Sequence, residues 1–304
     1  MNFFTKKQKD SDLNINRKVK IGLALGGGGA RGIGHIGALK AFEELGIKFD
    51  YVAGTSAGSI AGCFYAFGKT ANELESFVKS IKRSDVFHFS VPFIKPAKPE
   101  RLEDLINEAL GDITVFSELK VPFTAVCTDL KTGKEADFDY GNVAKVVSGS
   151  CAVPGLFSPV VYEGMHLVDG GLRNNVPADV VRRMGANVVF AVDVNHLRGT
   201  GTDSLSTISV LSSTIGIMMQ AKVDSTMGQA DLIFKPALEE FSPLKFDSVD
   251  EMIKIGYDTV MANKDKIKKM LELNPKNIGK HFTKSWCLKY DTKFNLLLNV
   301  MESV

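Results

Sequence analysis

Val19–Leu25, VKIGLAL, runs straight into Gly26–Gly32, GGGGARG, and the order of these two segments decides the fold class. The first is a near-continuous apolar run, which suits a strand buried on both faces of a sheet. The glycines end it, and Ile33, Ile36, Leu39, Ala41 and Phe42 then supply packing positions for a helix to about Leu45. The pattern repeats at once. Phe49–Gly54, FDYVAG, reads as a second strand, Thr55-Ser56-Ala57-Gly58 as a tight turn, and the residues to about Phe67 as a second helix. This succession is the opening of an α/β fold with a mainly parallel central sheet flanked by helices. The right-handed crossover rule puts both turns at the carboxyl end of the sheet, where such proteins keep their sites.

Further along, Lys69–Lys120 is mostly helical and polar, interrupted by VFHFSVPFIKP at Val86–Pro96. Val121–Thr128 and Asn187–Val194 read as strands, Asn142–Ser150 as a helix ending near Pro154, and Pro177–Met184 as a helix capped by Gly185. Leu205, Ile208, Leu211, Ile215, Met218 and Lys222 fall at helical spacing. Leu232–Phe234 is a candidate last strand and Ser248–Leu271 a last long helix. With no internal repeat or linker, the expected organisation is a polar tail over 1–18, a catalytic core over 19–195, helices and a strand completing the same domain over 196–271, and a Lys-rich tail over 272–304.

Composition narrows the function classes. The 304 residues are 44% hydrophobic and 24% charged, ordinary for a globular chain, and 37 Lys and Arg against 35 Asp and Glu leave no footprint for nucleic acid. Cys63, Cys127, Cys151 and Cys287 stand singly, so structural thiols are expected and no metal. The first twenty residues lack a signal-peptide core. The uncharged stretches Tyr51–Gly68 and Ser204–Ala221 are rich in Gly, Ser and Thr, so the expectation is a soluble, cytoplasmic chain.

Gly54-Thr55-Ser56-Ala57-Gly58 fits G-x-S-x-G between a strand and a helix, the context in which a nucleophile elbow lifts its serine through a strained turn. Gly54 and Gly58 remove Cβ atoms that would clash, and the following helix aims its positive end at the same point. The segment Gly27–Gly32 also fits the dinucleotide pattern G-x-G-x-x-G. That pattern wants an acid at the end of the second strand, whereas Asp50 lies at its start, and no GK[ST] follows for a triphosphate. An oxyanion hole beside Ser56 explains both glycine motifs with one site. The base for the serine is open on these grounds: Asp169 in Asp169-Gly170-Gly171 is a candidate acid, and His196 and His281 are the histidines downstream of it.

Taken together, GGGGARG after the first strand, GTSAG after the second and DGG about 110 residues later resemble the patatin-like phospholipases in order and spacing. The resemblance covers roughly Val19 to Val194 and continues more faintly to about Asp258. It implies a patatin-like three-layer α/β architecture and a Ser–Asp dyad, with Ser56 the nucleophile and Asp169 its proton acceptor. It implies further that Gly27, Gly28 and Gly29 form the oxyanion hole, with Arg31 and Gly32 in the same loop, Gly54, Ala57 and Gly58 shaping the elbow, and Gly170 and Gly171 the turn after the base. Arg31 fills the family's basic position and either orients the loop or meets an anionic head group. The implied activity is hydrolysis of a lipid or fatty-acyl ester without cofactor or metal. The alternatives are an acyltransferase using the same acyl-enzyme and a non-catalytic regulatory protein on the same fold. Malonyl transferases favour His before the serine, where this chain has Thr55.

Two features bear on a lipid substrate. Val86–Pro96 concentrates three phenylalanines, as an exposed lip or as core. Lys264–Lys293 holds nine lysines against three acids with Phe282 and Trp286 interleaved, which suits either peripheral contact with an anionic membrane or a solvated helix face.

Overall fold

The computed structural model describes residues 19–81, 96–111, 114–196 and 223–272, together with 210, 214 and 216–219. Its elements are β1 (Ile21–Leu25), α1 (Gly34–Glu44), β2 (Tyr51–Thr55), α2 (Ala57–Phe67), α3 (Ala71–Ser80) and α4 (Glu100–Leu110), then β3 (Phe123–Asp129), β4 (Lys134–Phe138), α5 (Val143–Ser150), β5 (Val160–Tyr162) and β6 (Met165–Asp169). They continue with α6 (Ala178–Arg183), β7 (Val188–Val192), α7 (Val223–Met227), β8 (Leu232–Phe234), α8 (Val249–Met261) and α9 (Lys264–Glu272). Val86–Lys95, Cys287 and the lysine tail beyond Glu272 lie outside the described residues, as do most of the helical positions read over 205–222.

One eight-stranded sheet runs in the order β5-β6-β3-β2-β1-β7-β8, with β4 paired to β3. The pairings β1–β2, β1–β7, β2–β3 and β7–β8 are parallel, and those of β3 with β4 and β6 and of β5 with β6 are antiparallel. The expected mainly parallel α/β sheet is therefore present, with an antiparallel extension. The extension was hard to read in the sequence. KEADF in β4 is a half-exposed polar strand, and VVY in β5 is three residues long. What joins β5 to β6 is a tight turn, Glu163-Gly164, with both residues at positive φ.

Helices cover both faces because the strand residues alternate. Leu23, Leu25, Val52, Val188 and Phe190 point into the larger core under α1, α2 and α8. Ala24, Ala53, Val189 and Ala191 point to the opposite face, where Ala178, Val180 and Val181 of α6 pack. Small residues on the second face let α6 lie close. The larger core is pinned by Phe42, Phe49, Phe190 and Phe234, whose rings meet at centroid distances of 5.1–6.0 Å.

The long helix expected over Ser248–Leu271 is two helices. Asn263 N–H turns back to Val260 O (2.9 Å), and its side-chain amide donates to Thr259 O (2.9 Å). An asparagine that bonds the backbone of the preceding turn competes with helix continuation. Of the two, α8 packs on α1 so closely that a Cβ at Gly256 would stand 2.0 Å from the Gly34 carbonyl oxygen. Gly256→Ala is expected to destabilise the fold by about 1–3 kcal/mol through overpacking. At roughly 2–4 °C per kcal/mol that lowers the unfolding midpoint by several degrees. An unchanged midpoint in a thermal scan would mean that the two helix backbones do not touch.

Candidate active site

Two strand ends meet on one edge of β3. Ala125 pairs with Gly54 of β2 and Phe138 of β4, and Cys127 pairs with Ala136 of β4 and Asp169 of β6. A strand has two edges, and β4 holds one of them from Ala125 to Asp129. Parallel β2 and antiparallel β6 therefore share the other and run toward each other. β2 ends with Thr55 opposite Val126, and β6 ends with Asp169 opposite Cys127. Ser56 and Asp169 are brought together by this head-on meeting.

Ser56 leaves β2 at φ 53°, ψ −125°, a sparsely populated conformation for any residue other than glycine, costing on the order of 1–3 kcal/mol. The flanking glycines make the turn possible. A Cβ at Gly54 would lie 2.3 Å from Gly58 O, and one at Gly58 2.1 Å from Leu25 O. The helix α2 starts at Ala57, so Ser56 sits at the N-terminus of an eleven-residue helix. Thr55 Oγ1 donates to Asn174 O (2.8 Å), tying the elbow to the chain that follows β6.

Asp169 is fully buried. Its Oδ1 accepts Gly171 N–H (2.8 Å), while Oδ2 has no partner of ordinary hydrogen-bond geometry. Burial pushes its pKa up to about 6, opposed by the Ser56 hydroxyl and then the Gly171 N–H, both of which favour the ionised form. The arrangement is a buried carboxylate with a free oxygen beside a serine hydroxyl, with a proton affinity raised toward neutrality. Chemically that is a base able to take a proton from its neighbour.

The glycine loop lies against the same point. A Cβ at Gly27 would come within 3.1 Å of the Ser56 Cβ, and one at Gly32 within 2.4 Å of the Ala57 Cβ. Gly26 N–H donates to Val192 O and Gly27 N–H to Asn175 O, both at 3.0 Å, and Ala30 N–H to Pro243 O at 2.9 Å. Gly27 thus shapes the loop while its own amide is engaged. Among the described residues no partner is seen for the amides of Gly28 and Gly29.

Arg31 is buried and its guanidinium is consumed by the fold: Nε donates to Phe241 O (2.7 Å), Nη1 to Asn195 Oδ1 (2.8 Å) and Nη2 to Glu239 O (3.0 Å). Of the two roles considered for it, these contacts are those of a clamp that orients the loop. The dinucleotide alternative fares poorly. Asp50 lies before β2, at the far end of that strand from Ser56, where it pairs with Lys20 (2.6 Å).

Beside Ser56 opens an apolar cavity of about 160 Å³. Ser56, Ala57 and Ile60 of the elbow and α2, Leu74, Phe77 and Val78 of α3, Leu102, Cys151, Val153, Phe157 and Gly29 of the glycine loop form much of its wall. His196 has its Nε2 3.0 Å from Glu239 Oε1, while His281 lies outside the described residues. Among the described residues there is no cluster of three or more His, Cys, Asp or Glu side chains suited to a metal, and no helix long and apolar enough to cross a membrane.

Three supporting residues escaped the sequence reading. Buried His35 sits 2.7 Å from Gly26 O through Nε2, and burial lowers its pKa to about 4, which keeps the ring neutral. Asn175 wedges between the glycine loop and the DGG turn: its Nδ2 reaches Gly27 O at 3.4 Å, and a Cβ at Gly171 would stand 2.8 Å from its Oδ1. Ser150 Oγ accepts Ser56 N–H (2.9 Å). The only available signal was position, in HIG after the glycine loop, NN after DGG and SGSCAV before Pro154.

Residues 23–182 match the family described as Patatin-like phospholipase, and the chain belongs to that family. An uncharacterized NTE family protein of Mycobacterium tuberculosis is 32% identical over 179 residues, covering 58% of this chain and 49% of the relative. Patatin-like phospholipase domain-containing protein 6 of Homo sapiens is 28% identical over 270 residues, 78% of this chain and 20% of that protein. Lysophospholipase NTE1 of Pyricularia oryzae is 28% identical over 272 residues, 78% and 18%. The chain thus spans about half or less of the length of these relatives. Among solved structures, VipD from Legionella pneumophila superposes with a TM-score of 0.57 at 15% identity, covering 82% of this chain and 67% of that one, a likeness of fold.

Burying an ionised Asp169 has a stability signature. Its folded pKa of about 6 lies above the ordinary 3.8, so the native state disfavours the ionised form. That penalty is present in full above about pH 6 and fades as pH falls through 6 toward 4. Asp169→Asn keeps an acceptor for Gly171 N–H and removes the charge. Its unfolding midpoint is expected to exceed wild type at pH 7.5, with the difference closing near pH 4. A lower midpoint at pH 7.5 would contradict a destabilising buried charge.

Proposed function

We propose that the chain is a serine acyl hydrolase acting on lipid carboxylic esters, with Ser56 as nucleophile and Asp169 as general base. The observation that carries the reading is the strained Ser56 elbow, lining an apolar cavity, beside a buried Asp169 whose Oδ2 is engaged by no ordinary hydrogen bond and whose charge the Ser56 hydroxyl favours. The family supports hydrolysis of a lipid, and relatives named phospholipase and lysophospholipase support the ester class.

The chemistry balances with these residues alone. Ser56 Oγ attacks the ester carbonyl as Asp169 Oδ2 takes the hydroxyl proton. The amides of Gly28 and Gly29 face the developing oxyanion, an effect worth about 3–4 kcal/mol per donor in other enzymes. As the tetrahedral intermediate collapses, Asp169 returns the proton to the departing alcohol and the acyl group stays on Ser56. Water repeats the sequence and releases the acid. A carboxylate is a weak base at its ordinary pKa, so the upward shift from burial is what fits Asp169 to this task.

Wild type should release nitrophenol from short-chain nitrophenyl esters, and Ser56→Ala should lose at least a thousandfold in kcat/KM with its thermal unfolding midpoint nearly unchanged. The acid limb of kcat/KM should fall tenfold per pH unit below about pH 6, because protonation there removes the base. Hydrolysis that survives Ser56→Ala would refute the assignment.

The cavity bears on the acyl group. Its 160 Å³ is about the size of an engineered apolar cavity that admits benzene, so an acyl tail of about six carbons fits with the side chains as they stand. Val78→Phe would fill part of that space. Excluding two methylenes, at about 0.8 kcal/mol each, should shift selectivity toward acetyl over hexanoyl ester by about tenfold. An unshifted chain-length profile would put the acyl tail elsewhere.

A further inference from the structure

The meeting of β2 and β6 on β3 leaves a seam. Between Val126, opposite Thr55, and Cys127, opposite Asp169, the ladder changes partner strand, and Ser56 turns out of the sheet at φ 53°. Backbone groups at such a seam lose their sheet partners and, being buried, need others. One side chain serves both sides of it. Ser150, fully buried at the end of α5, donates its hydroxyl to Val126 O (2.5 Å) and accepts the Ser56 N–H (2.9 Å). Two residues on, Ala152 O accepts the Asp169 N–H (3.0 Å). Cys151, between them, lines the cavity beside Ser56. Ser150-Cys151-Ala152 therefore touches the backbone of both reacting residues and the wall of the acyl site.

We propose that Ser150 is a positioning residue for the hydrolytic reaction: its single hydroxyl bridges Ser56 N–H and Val126 O across the seam and thereby sets where Ser56 Oγ stands relative to Asp169. The proposal rests on the reading of Ser56 as nucleophile. Ser56 is held in its strained conformation by what surrounds it, and the Ser150 bond is the contact made by its own amide. Without that acceptor, the amide regains a partner only if the elbow moves. A displacement of about 1 Å in a reacting group is enough to lower a rate by about a hundredfold. The acyl cavity is walled mainly by other residues, so the loss belongs in kcat rather than KM.

The test compares wild type, Ser150→Ala, Ser150→Cys, Ser150→Thr and a control, Ser148→Ala, with 4-nitrophenyl butyrate. Ser148 is also buried in α5, but its hydroxyl bonds Lys145 O (2.8 Å) within the helix. The folded fraction of each variant is measured by circular dichroism and thermal unfolding. Per folded molecule, Ser150→Ala and Ser150→Cys are expected to lose about a hundredfold in kcat with KM within threefold of wild type. Cysteine nearly matches serine in size but is a weak acceptor, so it carries the test if the alanine variant does not fold. Ser150→Thr, which keeps the hydroxyl, should recover kcat to within about tenfold of wild type. Ser148→Ala should match wild type per folded molecule.

A folded Ser150→Cys with wild-type kcat, or activity in all variants that simply follows the folded fraction, would overturn the proposal. So would a folded Ser150→Thr as impaired as the cysteine variant. A separate arm tests the underlying reading. A fluorophosphonate should label wild type at Ser56, with fluoride leaving phosphorus as the Ser56 oxygen bonds to it and the hydroxyl proton passes to Asp169. An unlabelled wild type would sink the nucleophile assignment itself. Labelled wild type with unimpaired Ser150 variants would sink only the positioning role.

Discussion

The structure hangs on two strands ending against each other on one edge of β3. Hydrogen-bond ladders fix register to within a residue, so Thr55 opposite Val126 and Asp169 opposite Cys127 leave no freedom in how far apart the two strand ends stand. A parallel sheet alone cannot do this, because its strand ends lie side by side along one rim. The antiparallel β5–β6 hairpin brings a strand in from the opposite direction, and the carboxylate arrives at its tip. The seam between β2 and β6 is then a weak point in the ladder, closed by Ser150.

Around that seam, close packing and electrostatics work together. Gly54, Gly58 and Gly170 each sit where a Cβ would fall about 2 Å from a backbone oxygen, so the elbow, the glycine loop and the DGG turn are pressed together without side chains between them. The same compression removes water from Asp169 and raises its proton affinity. The Arg31 guanidinium and the His35 Nε2 hold the loop's framework, through Phe241, Asn195 and Glu239 for the one and Gly26 for the other. Burial that is unfavourable for a charged side chain is the condition that makes a carboxylate useful as a base near neutral pH.

Much of this was legible in residue order. VKIGLAL and FDYVAG are apolar beyond Lys20 and Asp50 because both faces of those strands are covered, and in the fold they hold β1 and β2 with Leu23 and Ala24 facing opposite cores. GTSAG betrayed the elbow because the turn admits glycine at those two flanks. The antiparallel strands were not legible: Lys134–Phe138 is half exposed and charged, Val160–Tyr162 is three residues, and neither carries an apolar pattern long enough to stand out. Ser150 and Asn175 were invisible for another reason. A serine at a helix end and an asparagine after a turn are ordinary residues locally, and their roles lie in contacts 94 and 148 residues away in the chain.

By itself the sequence determined the elements that local chemistry dictates: buried strands from apolar runs, turns from glycines, and the identity of the serine and aspartate at two of those turns. Only the tertiary structure decided that β2 and β6 meet head-on, that Gly27's amide is engaged while among the described residues those of Gly28 and Gly29 are not, that Arg31 bonds Phe241, Asn195 and Glu239, and that one hydroxyl spans the seam. The physical reason is range. Propensity and periodicity act over a few residues, whereas burial, hydrogen-bond satisfaction and proton affinity depend on which distant segments the sheet brings into contact.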